Sequence, residues 1–264
     1  MLKDLYTQML KYNFKPNHRL DQNYMIDDSI IDLVVTELKL KQTEIILEIG
    51  GGTGFLTKKL ITQPKVIVIE KDKKMCEILK EEINSNNLEI INKDVLDVNI
   101  KEITCDKIVG FIPYSISKEI IEKIIITNKK TVLIVQKEFA EKLTAIPGFK
   151  NYTTVSVLAQ NYFDLKIIKK ISKKSFFPVP NCESAIISFE PINKEYDLNF
   201  VNFIRELFRY SNKDLYNALR LISNNIEDKT YLEKIKNIKE DLLKRKVKAL
   251  DSNNLNEIHK KLFK

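Results

Sequence analysis

The stretch Glu44-Ile45-Ile46-Leu47-Glu48-Ile49-Gly50-Gly51-Gly52-Thr53-Gly54-Phe55-Leu56 decides the fold of this chain. Residues 44–49 have the near-continuous apolar character of a strand buried on both faces. Leu56, Leu60 and Ile61 then recur at helical spacing. The glycines between them let the chain turn sharply and approach a ligand closely, and α/β folds place such turns at the carboxyl end of a sheet strand. The alternation continues outward. Val66–Ile69 is a second strand, and Asp72 can cap a helical run through Met75, Leu79 and Ile83. Leu88–Ile91, Lys107–Val109 and Val132–Val135 are further strands, with a helix from Ser117 to Ile126 between the last two. Upstream, Asp27-Asp28-Ser29 can cap a helix whose Ile30, Ile31, Val34 and Leu38 share one face, whereas residues 1–26 are polar and aromatic with no clear period. Strands and helices at this pitch predict a mostly parallel sheet covered on both faces.

After residue 150 the rhythm changes. Thr153–Ala159, Leu165–Ile171 and Ser184–Phe189 read as successive strands, which predicts an antiparallel edge on the sheet. From Asp197 onward the pattern is helical and lysine-rich, and Pro191 marks a boundary. The expected organisation is an α/β domain over 1–190 and a small all-α domain over 191–264.

Composition narrows the function classes. The 264 residues are 44% hydrophobic and 30% charged, and six Gly and seven Pro exclude a collagen-like or low-complexity chain. No apolar run approaches the roughly 20 residues of a bilayer span, and the N-terminal residues lack a secretory signal, so no membrane role is expected. Cys76, Cys105 and Cys182 form no C-x-x-C pair, and there are only two histidines. No metal site is expected, and a reducing cytoplasm is the natural setting. The formal charge is +8, and residues 201–264 carry 15 basic against 9 acidic residues. A basic appendage on a nearly neutral domain fits a phosphate-backbone binder, and equally a solubilising helical surface.

The glycine turn has a specific register. A dinucleotide fingerprint G-x-G-x-x-G fails, because counting from Gly50 the third position is Phe55. The spacing E-x-G-x-G-x-G, with Gly50 and Gly52 at its centre, instead resembles motif I of class I S-adenosyl-L-methionine-dependent methyltransferases, whose sheet is Rossmann-like. Glu70, 20 residues beyond Gly50 at the end of the next strand, can accept both hydrogens of a ribose diol. Asp94, after the strand that follows, can accept an adenine exocyclic amine.

Four further segments narrow the resemblance. Arg19-Leu-Asp21-Gln22-Asn23-Tyr24-Met25-Ile-Asp27 resembles the R-x-G-Q-[NH]-F-L-x-D opening of the KsgA-type rRNA adenine N6,N6-dimethyltransferases, relatives of the Erm resistance methylases and of mitochondrial transcription factor B. Asp106-Lys-Ile-Val-Gly-Phe111-Ile112-Pro113-Tyr114-Ser-Ile-Ser117 is similar to their D-x-V-V-x-N-L-P-Y-x-I-S segment. Val135–Ala140 is similar to V-Q-K-E-x-A, and Phe176–Ala185 to F-x-P-x-P-x-V-x-S-A. The resemblance covers residues 18–185; beyond that the match is only in being helical and basic.

The resemblance implies that S-adenosylmethionine is held by Asn23, Met25, Gly50, Glu70 and Asp94, with S-adenosylhomocysteine as product. Gln22–Met25 would then be a lid, or else an arm packed on the sheet. It implies that an Asn side chain and the next backbone carbonyl accept the two N–H hydrogens of the target amine, and that aromatic residues stack on the extruded base. Here the catalytic group would be Phe111, Ile112, Pro113, Tyr114 and Phe176. Phe111 occupies the Asn position and accepts no hydrogen bond; the Ile112 carbonyl remains. Tyr114 and Phe176 are either the stacking pair or core aromatics. Asp21 replaces the usual Gly, and Cys182 an apolar Val.

The implied function is dimethylation of N6 of adenines in a small-subunit rRNA hairpin loop during ribosome biogenesis. The implied setting is the cytoplasm, with a monomer acting on the pre-ribosomal small subunit. A catalytically impaired RNA- and S-adenosylmethionine-binding assembly factor is the alternative that Phe111 raises, and methyl transfer to another substrate is a third. RNA contact is expected at Lys244, Arg245, Lys246 and Lys248, a run that also reads as a solvated helix face.

Overall fold

The computed structural model describes residues 1–223 and 230–263. In chain order its elements begin with α1 (Leu2–Lys11), β1 (Tyr24–Met25), α2 (Asp28–Leu38), β2 (Ile45–Ile49), α3 (Phe55–Leu60), β3 (Lys65–Glu70), α4 (Lys73–Glu82) and β4 (Leu88–Asn92). There follow β5 (Lys107–Phe111), α5 (Ser117–Ile124), β6 (Lys130–Gln136), α6 (Lys137–Leu143), α7 (Thr154–Tyr162), β7 (Phe163–Ile171), β8 (Phe176–Phe177) and β9 (Ser184–Pro191). The described remainder is helical: α8 (Leu198–Phe208), α9 (Leu215–Ser223), α10 (Tyr231–Lys236), α11 (Glu240–Leu243) and α12 (Ser252–Phe263). The chain divides into two units, Met1–Ala140 with Asp164–Pro191, and Glu141–Phe163 with Ile192–Lys264.

The first unit is built on a seven-stranded sheet in the order β4-β3-β2-β5-β6-β9-β7. The strands from β4 to β6 pair in parallel, and β9 runs antiparallel to β6. The antiparallel strand therefore lies one place in from the margin, and β7 is outermost. β2 sits centrally, and its Ile46 and Leu47 are fully buried, which is why this strand reads as unbroken apolar sequence. Helix α2 starts where Asp27 accepts the Ser29 N–H and packs Ile30, Ile31, Val34 and Leu38 onto the sheet. Each such side chain contributes about 1.5–3 kcal/mol on burial. Asp72 caps α4 by accepting the Lys74 N–H at 2.8 Å.

The N-terminal 26 residues correct the sequence reading. Leu2–Lys11 is a helix, but it buries only Leu5 and Gln8, too sparse a pattern to give a period. Its fit depends on a cluster of Leu5, Phe14, Tyr24, Met75 and Ile78 assembled from distant segments. β1 then pairs antiparallel with β8 in a ribbon separate from the main sheet.

The second unit corrects another expectation. Residues 154–162 form α7, not a strand: the Thr153 N–H donates to Ser156 Oγ at 3.0 Å in a capping box. Its Val, Leu, Ala and Tyr side chains are buried nearly all round, so neither helical nor strand periodicity is visible. The segment 141–163 joins the C-terminal helices, although the sequence reading assigned it to the α/β domain. His259 lies buried against Phe200, Phe203 and Phe263. Among the described residues no helix is long and apolar enough to cross a membrane.

Candidate active site

Where β3 and β5 flank β2, successive connections leave the sheet in opposite directions, and this switch point opens a crevice at the carboxyl ends of the strands. A cavity of about 280 Å³ lies there, lined by the opening segment, the glycine turn and the loops after β3, β4 and β5. That volume is near the lower end of the roughly 300–1,000 Å³ of small-molecule sites.

Gly50 has φ +80°, and a Cβ there would come within 3.3 Å of the Phe111 carbonyl oxygen. A side chain at this position would be strained and would crowd the neighbouring strand end. The Gly52 N–H donates to Glu70 Oε2 at 3.0 Å, and the Asp72 N–H to Glu70 Oε1 at 2.8 Å. The carboxylate that ends β3 thus ties the glycine turn to the start of α4. Burial pushes the Glu70 carboxyl above its ordinary value, against the pull of those two N–H donors.

Beneath the turn, Glu48 is 1% exposed, and burial pushes its carboxyl up to about 8. Its Oε2 has no hydrogen-bond partner among the described residues. The sequence reading included Glu48 in the glycine motif but gave it no role of its own. Asp94 lies two residues beyond the end of β4, where its carboxylate accepts the Leu96 N–H and pairs with Lys71 at 2.8 Å. Lys71 holds that carboxyl below its usual range.

The opening segment supplies another wall. Asn23 and Met25 both line the cavity; Asn23 Nδ2 donates to the Asp21 carbonyl, and Met25 is anchored in the β1–β8 ribbon opposite Phe176. Gln22 Nε2 donates to Asp72 Oδ2 at 2.7 Å, and Gln22 Oε1 accepts the Tyr24 hydroxyl.

The segment after β5 divides. Phe111 and Pro113 line the cavity, and the Phe111 ring packs partly against the sheet core. The Ile112 side chain is buried. The Tyr114 hydroxyl lies 2.6 Å from Ser184 Oγ, and burial pushes its phenol up to about 12. Phe176 stands apart from the expected stacking role. It is 3% exposed and packed into the core with Met25 and Ile31. Alternation along β8 turns it toward the core, and sends Phe177 to the other side, edge-on to Tyr6.

Among the described residues no group of three or more His, Cys, Asp or Glu side chains is placed to hold a metal ion. The strand order, the glycine turn at the switch point and the acidic residue closing the next strand define a class I methyltransferase. The sequence profile of the ribosomal RNA adenine dimethylases matches residues 13–261.

The chain is 37% identical over 223 residues to the probable ribosomal RNA small subunit methyltransferase A of Thermococcus sibiricus, covering 83% of this chain and 81% of that one. It is 36% identical over 256 residues to the protein of the same name from Methanosphaera stadtmanae, covering 94% of each. Among solved structures, a dimethyladenosine transferase from Plasmodium falciparum aligns with TM-score 0.78 at 26% identity, over 89% of this chain and 95% of that one. The 23S rRNA methyltransferase ErmE shares the fold, with TM-score 0.66 at 19% identity over 92% and 100%. The chain belongs to the ribosomal RNA adenine dimethylase family.

Proposed function

We propose that this protein is an S-adenosylmethionine-dependent methyltransferase that dimethylates N6 of adenines in a hairpin loop of small-subunit rRNA. It acts as a monomer on the pre-ribosomal small subunit, in the cytoplasm. The observation that carries this reading is a cavity with nucleoside-type acceptors on one wall and Phe111 and Pro113, from the turn after β5, on another.

The residues present suit the cofactor. Each Glu70 oxygen accepts one backbone N–H and keeps a lone pair for a ribose hydroxyl. Asp94 retains acceptor capacity for an adenine amine, and Gly50 and Gly52 leave their side of the cavity free of side chains. Asn23 and Met25 close it from the opening segment. When bound, S-adenosylmethionine supplies an electrophilic methyl group and yields S-adenosylhomocysteine.

The chain's own residues orient the acceptor. The lone pair of an adenine exocyclic amine is delocalised into the ring, so it needs aiming. The Ile112 carbonyl accepts one N–H and holds the amine in place. The Tyr114 ring, fixed through its hydroxyl to Ser184, stacks on the extruded base. The test is incubation with labelled S-adenosylmethionine and immature small subunits, followed by nucleoside mass spectrometry. N6,N6-dimethyladenine is expected; no product despite confirmed cofactor binding would remove the reading.

The family assignment supports the enzyme; the alternative that Phe111 raises is an assembly factor that binds cofactor and RNA but has lost catalysis. Product formed by Phe111→Asn but none by the natural chain, with cofactor bound in both, supports it, and turnover by the natural chain excludes it.

A further inference from the structure

The mouth of the cavity is bridged by a long-range hydrogen bond. Asp21 Oδ2 accepts the Ser115 N–H at 3.0 Å across 94 positions of sequence. Both residues line the cavity, Asp21 from the opening segment and Ser115 from the turn that follows Pro113. Asp21 holds this bond from a left-handed backbone, φ +52°, a conformation that costs a residue with a side chain and costs glycine nothing. It closes a short helical turn over His18–Leu20, at whose start the Asn17 side chain accepts the Arg19 N–H. One position on, Gln22 reaches the other way and bonds Asp72 at the start of α4. The opening segment is therefore tied at adjacent residues to the loops after β5 and after β3. The Asp21 tie runs to a backbone N–H of the segment that carries the Ile112 carbonyl.

We propose that Asp21 is a positioning residue that straps the opening segment across the cavity mouth, and that the Asp21–Ser115 hydrogen bond sets the rate of S-adenosyl cofactor exchange. The proposal rests on the methyltransferase reading of this cavity. A carboxylate in a strained backbone can release and re-form one hydrogen bond without unfolding anything else, so the strap opens locally. Gly at this position would relieve the strain and abolish the strap. Asn would keep an acceptor oxygen for the Ser115 N–H.

The experiment uses the full chain loaded with tritiated S-adenosylhomocysteine and chased with unlabelled compound, alongside melting temperatures without ligand. Dissociation should quicken roughly tenfold or more in Asp21→Ala and Asp21→Gly, as expected for losing a hydrogen bond to a charged group. Asp21→Asn should stay within a few-fold of the natural chain. Ligand-free Asp21→Gly should melt no lower than the natural chain, because relief of the backbone strain offsets the lost bond, so faster dissociation in that variant is not a loss of stability. Unchanged dissociation in Asp21→Ala overturns the strap and leaves the methyltransferase reading standing. A lower melting point in Asp21→Gly with no rescue by Asn also overturns it. Failure of the natural chain to bind S-adenosylhomocysteine overturns both.

Discussion

Phe111 ends β5 with a ring on the cavity wall, at the position where the proposed amine transfer would use a second acceptor. Replacing it with Asn restores that acceptor, and a hydrogen bond to a polar reacting group contributes roughly 1–3 kcal/mol. Single-turnover transfer to rRNA should therefore rise about 5- to 150-fold; a slower variant would mean that the ring itself holds the base. Glu48 makes a different prediction. Its carboxyl is raised from the ordinary 4.5 to about 8 by burial, so between those pH values the folded chain binds more protons than the unfolded one. The contribution of Glu48 to stability is fullest below about 4.5 and declines as pH rises to about 8, by up to about 1.4 kcal/mol per pH unit. Glu48→Gln should flatten the dependence of melting temperature on pH between about 5 and 8. An equally steep profile in the variant would place the titrating group elsewhere.

At the scale of elements, the pairing of β2 with β5 places the Phe111–Tyr114 segment beside the glycine turn. Gly110 lies opposite Ile49 in that pairing, and a Cβ on it would come within 2.4 Å of the Ile49 carbonyl oxygen. Backbone cannot move aside there without parting the strands. Gly110→Ala should lower unfolding free energy by about 1–3 kcal/mol and weaken cofactor binding, read by urea denaturation and by calorimetry with S-adenosylhomocysteine. A variant as stable as the natural chain would show that the two strand ends are not rigidly coupled. The same scale accounts for Phe176. Its two-residue strand is too short to show alternation in sequence, and only pairing with Tyr24–Met25 fixes which ring faces the core.

For the molecule as a whole, the excess positive charge lies toward the C-terminus. In the second unit Lys244 pairs with Glu240, and the Arg245 guanidinium donates to the Ala249 carbonyl. Lys246 is exposed and Lys248 half-buried. If these side chains bind phosphate, replacing Lys244, Lys246 and Lys248 with Ala should weaken rRNA binding without altering cofactor affinity. The logarithmic salt slope should also fall by roughly one for each phosphate that is no longer neutralised. An unchanged slope would mark the run as a solvated surface.

Much of the first unit was legible because its signals are local. The buried strand at 45–49, the glycine turn, the caps at Asp27 and Asp72 and the carboxylate at Glu70 each follow from a few adjacent residues. The helix over 154–162 was not legible, because complete burial erases the periodicity that distinguishes helix from strand. The N-terminal helix was hidden for the opposite reason, since it buries too little to leave a pattern. The sequence by itself determined the alternation of strands and helices and the place of the glycine turn, both properties of neighbouring residues. Only the tertiary structure decided that Asp21 meets Ser115, that Glu48 is sealed beneath the turn and that Phe176 belongs to the core. Those facts depend on which distant segments pack together.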